Sequence, residues 1–262
     1  MIYQDDCLNI LPKLEKGSID LVVTSPPYDT LRNYKETCKW DWCQFEQVVA
    51  NLYEVLKDGG VVIWVVADKT ENGSETGTSF KQALRFIDYK FKLHDTMIYR
   101  KINYMPMNHG RYEQEFEYMF CFSKGKPKTF NPIKIPCKYA GQSNWGNPTY
   151  YKDDSDALTE MDKKVVADTK LHGNIFEYRI GSTSETSKYN HPAMFPLDLA
   201  RDMVSSWSNK GDVVLDCFMG AGTTGVACAE LQREFIGIEI VPEYFEIAKE
   251  RLKLADIKKK LF

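Results

Sequence analysis

Val213-Val214-Leu215-Asp216-Cys217-Phe218-Met219-Gly220-Ala221-Gly222-Thr223-Thr224-Gly225 reads as an apolar strand, a glycine-rich turn and the start of a helix. Gly220 and Gly222 let the backbone turn tightly off the strand and let a ligand approach it closely. The next strand signal, Phe235 to Ile240, carries Glu239 near its end, placed to accept hydrogen bonds from two ribose hydroxyls. Taken literally, Gly220-x-Gly222-x-x-Gly225 is also the dinucleotide fingerprint of a nicotinamide-dependent oxidoreductase, a weak signal by itself. Two features weigh against that reading. The chain ends about 40 residues after Gly222, too soon for the remaining strands of a dinucleotide domain. Asp216 before the glycines and Thr223-Thr224 after them suit a ribose and a charged amino-acid tail better than a pyrophosphate. The missing strands must then come from the N-terminal half, so the sheet is expected in permuted order.

That half alternates strand and helix signals. Ile19 to Thr24 is a short β-branched run, and Phe45 to Leu56 has helical apolar spacing, with Lys57-Asp58-Gly59-Gly60 read as its stop. Val61 to Val66 is a continuous apolar strand of the kind buried in parallel sheets. Phe80 to Tyr89 reads as a helix and Tyr118 to Phe122 as a strand. Thr223 to Leu231 and Pro242 to Leu254 complete the helices after the glycine loop.

Thr24-Ser25-Pro26-Pro27-Tyr28 follows the first buried strand, where open α/β sheets place their ligands. Two prolines stiffen the turn and remove two backbone donors, leaving carbonyls that only accept. Ser25 adds an acceptor and Tyr28 a flat face with a polar tip. Such a cluster suits an amino group on a planar ring. An exocyclic amine is a poor nucleophile, because its lone pair is conjugated into the ring. Acceptors gripping its N–H bonds favour a pyramidal nitrogen, and fixed dipoles with an aromatic face stabilise the positive charge that develops there.

With both motifs in view, the sequence resembles the β-class, permuted amino-methyltransferases of DNA. Ser25-Pro26-Pro27-Tyr28 is similar to the family's catalytic motif. Asp216-Cys217-Phe218-Met219-Gly220-Ala221-Gly222-Thr223-Thr224 is similar to its cofactor motif, in the family's order and separation. The resemblance implies S-adenosylmethionine as cofactor, held by Asp216, Phe218, Gly220, Gly222, Thr223, Thr224 and Glu239. Near the start it extends to Asp5-Asp6-Cys7, where Asp6, with Cys7, helps hold the cofactor's adenine. His191-Pro192-Ala193-Met194-Phe195-Pro196 is similar to the segment bordering the methionine end. His191 either serves there or is a first-turn residue of the Pro196 to Trp207 helix without a ligand role. The implied fold is α/β, a Rossmann-like doubly wound sheet of the class I methyltransferase kind, circularly permuted. Residues 1–125 supply the catalytic half and 191–262 the cofactor half. Residues 126–190, poor in periodicity and rich in Asn, Pro, Gly, Tyr and Ser, occupy the place of an inserted, loop-rich target-recognition lobe.

The implied partner is double-stranded DNA, with the target base flipped from the stack. Arg32, Lys35 and Lys39, with Tyr34 and Trp40, interleave charges and aromatics. The stretch holding Arg100, Lys101, His109 and Arg111, with Asn103 between, repeats that mixture and suits phosphate contact and stacking. A net charge of −3 argues against coating nucleic acid by bulk charge, but leaves a local basic face possible. Seven cysteines show no two-residue gap of a zinc or redox motif, so reduced thiols and no metal are expected. No apolar run approaches the roughly 20 residues that span a bilayer, and the acidic start lacks a signal peptide's basic and apolar regions. A cytoplasmic protein without membrane contact is expected, with a homodimer left open. Ser25, and Phe195 in the His-Pro-Ala-x-Phe-Pro stretch, favour cytosine N4 as target over adenine N6. RNA or a protein amide are more distant substrates for the same pocket.

Overall fold

The computed structural model describes residues 1–27, 40–104, 110–143, 150–152, 158–160, 165–180 and 196–261. By contact the chain divides into one compact unit, Met1–Asn131 with Asn174–Phe262, and a second, Pro132–Gly173. The first is built on an eight-stranded sheet: β1 (Ile2–Gln4), β2 (Ile19–Thr24), β3 (Leu56–Val66), β4 (Lys92–Lys101), β5 (Phe116–Ser123), β6 (Ile175–Tyr178), β7 (Val213–Asp216) and β8 (Glu234–Glu239). Their spatial order is β1-β8-β7-β2-β3-β5-β4-β6. β5 runs antiparallel to both its neighbours, whereas all other pairings in this sheet are parallel.

Among the described residues the α-helices are α1 (Cys7–Ile10), α2 (Trp42–Val55), α3 (Thr78–Asp88), α4 (Leu197–Trp207) and α5 (Thr223–Leu231), which lie between strands, and α6 (Pro242–Leu261), which follows β8. Phe45, Val48, Val49, Leu52 and Val55 of α2, with Ala83 and Phe86 of α3, pack into one core with Val22, Val62, Trp64, Phe122 and Leu215 of the strands. Val226 and Ala229 of α5 meet Ala255 of α6, with Leu197 and Leu252 beside them. β2 and β3 bury every apolar side chain they carry, and the Val61–Val66 part of β3 is a continuous apolar run, as in a sheet covered on both faces.

The chain leaves β7 through α5 toward β8, on one side of the sheet order. It leaves β2 through α2 toward β3, on the other side. β7 and β2 are neighbours, so the connections diverge between them and open a crevice at their carboxyl ends. Because β7 is late in the chain and β2 early, the doubly wound sheet is closed by a permuted chain.

Three strands were not foreseen from sequence. β1 and β6 have three and four residues. β4 buries only Met97 and Tyr99, and Lys92, His94 and Arg100 along it are exposed. The proposed stop at Lys57–Gly60 is also displaced. α2 ends at Val55, β3 starts at Leu56, and the two glycines lie inside the strand. Gly59, at φ +81°, has its N–H 2.6 Å from the Lys124 carbonyl, and its own carbonyl accepts from Lys128 N–H at 3.0 Å. A Cβ there would stand 2.5 Å from Lys128 Cγ, so the glycine admits the chain leaving β5.

The first unit breaks at two asparagines, each tied to its own unit. The Asn131 side chain donates to the Ser205 and Ser208 carbonyls, both at 3.1 Å, where α4 ends. The Asn174 carbonyl accepts from Ile98 N–H on β4 at 2.8 Å. In the second unit, Lys134–Pro136 pairs antiparallel with Thr169–Leu171, and Tyr150–Lys152 with Leu158–Glu160. Among the described residues no helix is long and apolar enough to cross a membrane.

α5 begins at Gly222, whose φ of +76° is left-handed and whose Cβ direction points at α6, with Ala248 Cβ 3.0 Å away. A β-branched residue there faces both backbone strain and steric overlap. Gly222→Val is expected to lower unfolding stability by about 2–4 kcal/mol. Urea denaturation followed by circular dichroism measures this, and a midpoint equal to wild type would count against it.

Candidate active site

Neighbouring strands end together. Gln4 of β1 is in register with Glu239 of β8, and Asp216 of β7 with Gly237 of β8. Leu215 of β7 is in register with Val22 of β2, so Thr24 and Asp216 close the same edge. The sequence-derived cofactor residues on these strands and the Ser25-Pro26-Pro27 turn therefore meet at one edge.

Asp216 is the buried centre of this edge. Its Oδ1 accepts from Thr24 Oγ1 at 2.7 Å and from Phe218 N–H at 3.2 Å, and its Oδ2 from Thr224 Oγ1 at 2.7 Å. Thr24, read as the end of a strand and the first residue of the Thr24–Tyr28 stretch, was given no role of its own. In the structure its hydroxyl joins the end of β2 to the end of β7. Asp216 is 2% exposed, and burial pushes its carboxyl up to about 6, against hydrogen bonds from Thr24, Thr224 and Phe218.

Glu239 is also buried. Its Oε2 accepts from Gly220 N–H at 2.7 Å and its Oε1 from Val241 N–H at 2.8 Å. Burial raises its pKa and these backbone bonds oppose the rise. The Ile240 backbone also bonds this carboxylate, and a carboxylate accepts at about four sites, so capacity for a further donor remains. Asp6 caps α1, its Oδ1 accepting from Leu8 N–H at 2.9 Å, and Cys7 packs its side chain into the core. Gly220 takes φ +54°, and Thr223 and Thr224 open α5, both buried. Ser25 is half-buried and Pro26 and Pro27 are buried. Tyr28, Arg32, Lys35, Lys39, His109 and His191 lie outside the described residues.

Sequence reading missed two contacts of the glycine loop. Arg251 of α6 donates to the Ala221 carbonyl and, at 3.2 Å, to Thr223 Oγ1. A lone arginine on a charged helix gives no signal of this in sequence. Phe218 sets its ring edge-on to Trp40, centroids 5.1 Å apart. Trp40, grouped above with stacking aromatics for nucleic acid, is partly buried against the core.

The remaining basic candidates lie at the same edge, where β4 ends and β5 begins. Arg100 is bound by Glu115 at 3.1 Å and Glu177 at 2.7 Å, and Lys101 by Glu117 at 2.6 Å. Arg111 donates to the Gly73 carbonyl and has Glu75 at 3.8 Å. Asn103 brackets Ile180, donating to its carbonyl and accepting from its N–H, both at 2.7 Å, which prolongs the β4–β6 pairing. Among the described residues no group of His, Cys, Asp or Glu is arranged to hold a metal ion.

The buried Asp216 carboxyl sets a pH dependence. Its folded pKa lies above the ordinary 3.8, so the native state binds a proton more readily than the unfolded chain between that value and about 6. Stability is then lost as pH rises through this window, by about 3 kcal/mol once the carboxyl is ionised. Asp216→Asn, neutral and similar in shape, lacks that titration. Its stability relative to wild type is expected to rise between pH 4.5 and pH 7.5 in urea denaturation. A difference that does not change with pH would contradict the assignment.

Comparison with known proteins bears on this edge. Residues 19–250 match the family model described as DNA methylase, of the N6/N4 type. The orphan methyltransferase M.BamHII of Bacillus amyloliquefaciens is 47% identical over 246 residues, covering 90% of this chain and 89% of that protein. The M1.HpyAVI structure, solved as a complex with S-adenosylmethionine, superposes with a TM-score of 0.63 at 26% identity, over 96% of this chain and 98% of that one. The cytosine-N4-specific PvuII DNA methyltransferase shares the fold, with a TM-score of 0.69 at 19% identity, over 99% of this chain and 89% of its own. The sheet is thus the Rossmann-like sheet of these enzymes, and the chain belongs to the DNA methylase family.

Proposed function

We propose that the protein transfers a methyl group from S-adenosylmethionine to the exocyclic amino nitrogen of a flipped base in double-stranded DNA, at cytosine N4 in preference to adenine N6. One observation carries the reading. The Thr24–Asp216 hydrogen bond holds the turn at Ser25-Pro26-Pro27 against the glycine loop, so an amine acceptor site and a cofactor loop share one crevice.

The residues present fit the cofactor. Glu239 retains acceptor capacity for a ribose hydroxyl, and Asp6 lies one strand further along the same edge, where an adenine would extend. Asp216, with its oxygens already bound, serves the cofactor indirectly, by fixing Phe218 and Thr224. When bound, the cofactor supplies a methyl group activated by its sulfonium. The chain's own contribution is positional and electrostatic. Ser25 and the backbone carbonyls of the proline turn accept the amine N–H bonds, and Tyr28 offers its ring to the flipped base. Nitrogen gains the methyl group and loses one proton to solvent, and no enzyme nucleophile is needed.

Target recognition is assigned to residues 126–190, which enclose the compact 132–173 unit. Arg32, Lys35, Lys39, Arg100, Lys101, His109 and Arg111 are the proposed DNA contacts. A role in restriction-modification, or as a methyltransferase without a partner nuclease, fits the relatives. Phe80, Leu84 and Ile87 are exposed along α3 at helical spacing, which supports a homodimer, and the proposed location is the cytoplasm.

Ser25 bears on the choice of base. In the family the chain resembles, cytosine-N4 enzymes usually carry Ser at this place where adenine-N6 enzymes carry Asp or Asn, and Phe195 in the His191 stretch points the same way. The hydroxyl's lack of charge matters equally for either base. Incubation with labelled S-adenosylmethionine and unmethylated DNA should label the DNA, and nucleoside mass spectrometry should find N4-methylcytosine. N6-methyladenine alone would reverse the choice of base. Glu239→Ala should weaken cofactor binding by about 1.5–3 kcal/mol, the worth of one or two charge-assisted hydrogen bonds. Calorimetry giving wild-type affinity would remove Glu239 from the site.

A further inference from the structure

The glycine loop is held from behind at three points by α6. Ala248 stands behind Gly222 and Leu252 behind Gly225. Between them Arg251, 5% exposed, enters the loop itself. Its Nη1 donates to the Ala221 carbonyl and, at 3.2 Å, to Thr223 Oγ1. A guanidinium is costly to desolvate and is tolerated in such a place only when hydrogen-bonded.

One of the two residues it grips sits between the two with most backbone freedom. Ala221 is flanked by Gly220 at φ +54° and Gly222 at φ +76°. Glycine populates left- and right-handed backbone about equally, so the peptide between Ala221 and Gly222 has little intrinsic preference between its two orientations. With its carbonyl held by Arg251, that peptide keeps one orientation. Gly222 N–H then bonds the Met219 carbonyl at 2.9 Å, and Gly220 N–H remains on Glu239. Without the guanidinium the loop would divide its time among several shapes. Apparent affinity falls by the fraction of time spent in the others.

We propose that Arg251 is a positioning residue for the cofactor. It locks the 220–223 turn in its binding shape from the side of α6, without being a ligand itself. The proposal rests on the glycine loop being the cofactor site, so Glu239→Ala is measured alongside as the test of that assignment alone.

The experiment compares Arg251→Met, which keeps length and loses every donor, with Arg251→Lys, which keeps a charged donor. Arg251→Met should raise the S-adenosylmethionine dissociation constant and KM by about 10- to 100-fold, the worth of lost charge-assisted hydrogen bonds. At saturating cofactor its kcat should stay within about threefold of wild type, with KM for DNA unchanged, since uniform binding is what has been lost. Arg251→Lys should recover part of the affinity. A purely structural arginine would instead lower the unfolding midpoint and kcat while leaving cofactor KM at the wild-type value, and that result overturns the proposal. If Arg251→Met does not fold, Arg251→Lys alone decides, and wild-type cofactor affinity in it is equally fatal. Weak binding by Glu239→Ala beside normal binding by the Arg251 variants sinks only this proposal. Normal binding by all of them sinks the site assignment.

Discussion

The Asp216 carboxylate is the constraint on which the rest of this molecule depends. It accepts from Thr24 of β2, 192 positions away in the chain, and from Thr224 of α5 only 8 away. In a permuted sheet the strand bearing the proline turn and the strand bearing the glycine loop are adjacent in space but remote in sequence. Nothing covalent and short holds them in register. Backbone pairing of Val214 with Leu21 and Leu215 with Val22 aligns the two strands. The buried carboxylate then fixes the loops that leave them. Desolvation opposes the charge, which is why the carboxyl titrates near 6. Three donors aimed at it make the ionised form tolerable inside the protein.

The glycine loop answers to two masters. Toward β8 it meets Glu239, which takes the Gly220 N–H, and toward α6 it meets Ala248, Arg251 and Leu252. The three glycines of the motif therefore differ in kind. Gly220 and Gly222 adopt left-handed backbone, whereas Gly225 is helical and is kept small by Leu252 Cδ2 and Phe235 Cε1, each 2.6 Å from where its Cβ would lie. A fingerprint read as one ligand signal is in part a record of helix packing.

Much of this was legible in the sequence, for identifiable reasons. β2 and α5 fall at the limits expected from sequence, because a short run rich in apolar and β-branched residues and a glycine start are strong local signals. β4 was not, because it buries only Met97 and Tyr99 among many polar residues, and one of its two partners, β6, lies far off in sequence. Gly59-Gly60 misled for a related reason. A glycine pair after a helix normally reads as a stop, yet here it makes room for Lys128 beside a strand. Within the site the motif residues were legible by type, while their partners were not. Thr24 as a donor to Asp216, and Arg251 as a clamp, exist only once the strands and α6 are placed. No local composition marks either one.

The same logic applies to the edge proposed to meet DNA. Interleaved Arg, Lys and Tyr suggested a basic strip, and the fold does bring Arg100, Lys101 and Arg111 to the edge where the candidate site lies. It also brings Glu115, Glu177, Glu117 and Glu75 to meet them. A phosphate approaching Arg100 must compete with two carboxylates already within 3.1 Å. Counterion release therefore contributes less per arginine than on an unpaired basic surface. With a net charge of −3 over the whole chain, long-range attraction to the duplex is weak as well. Affinity in such a protein has to come from short-range terms, hydrogen bonds to bases and backbone and the seating of a flipped base against an aromatic face. Of these, the base contacts carry the sequence information, so a duplex held weakly by charge depends the more on them.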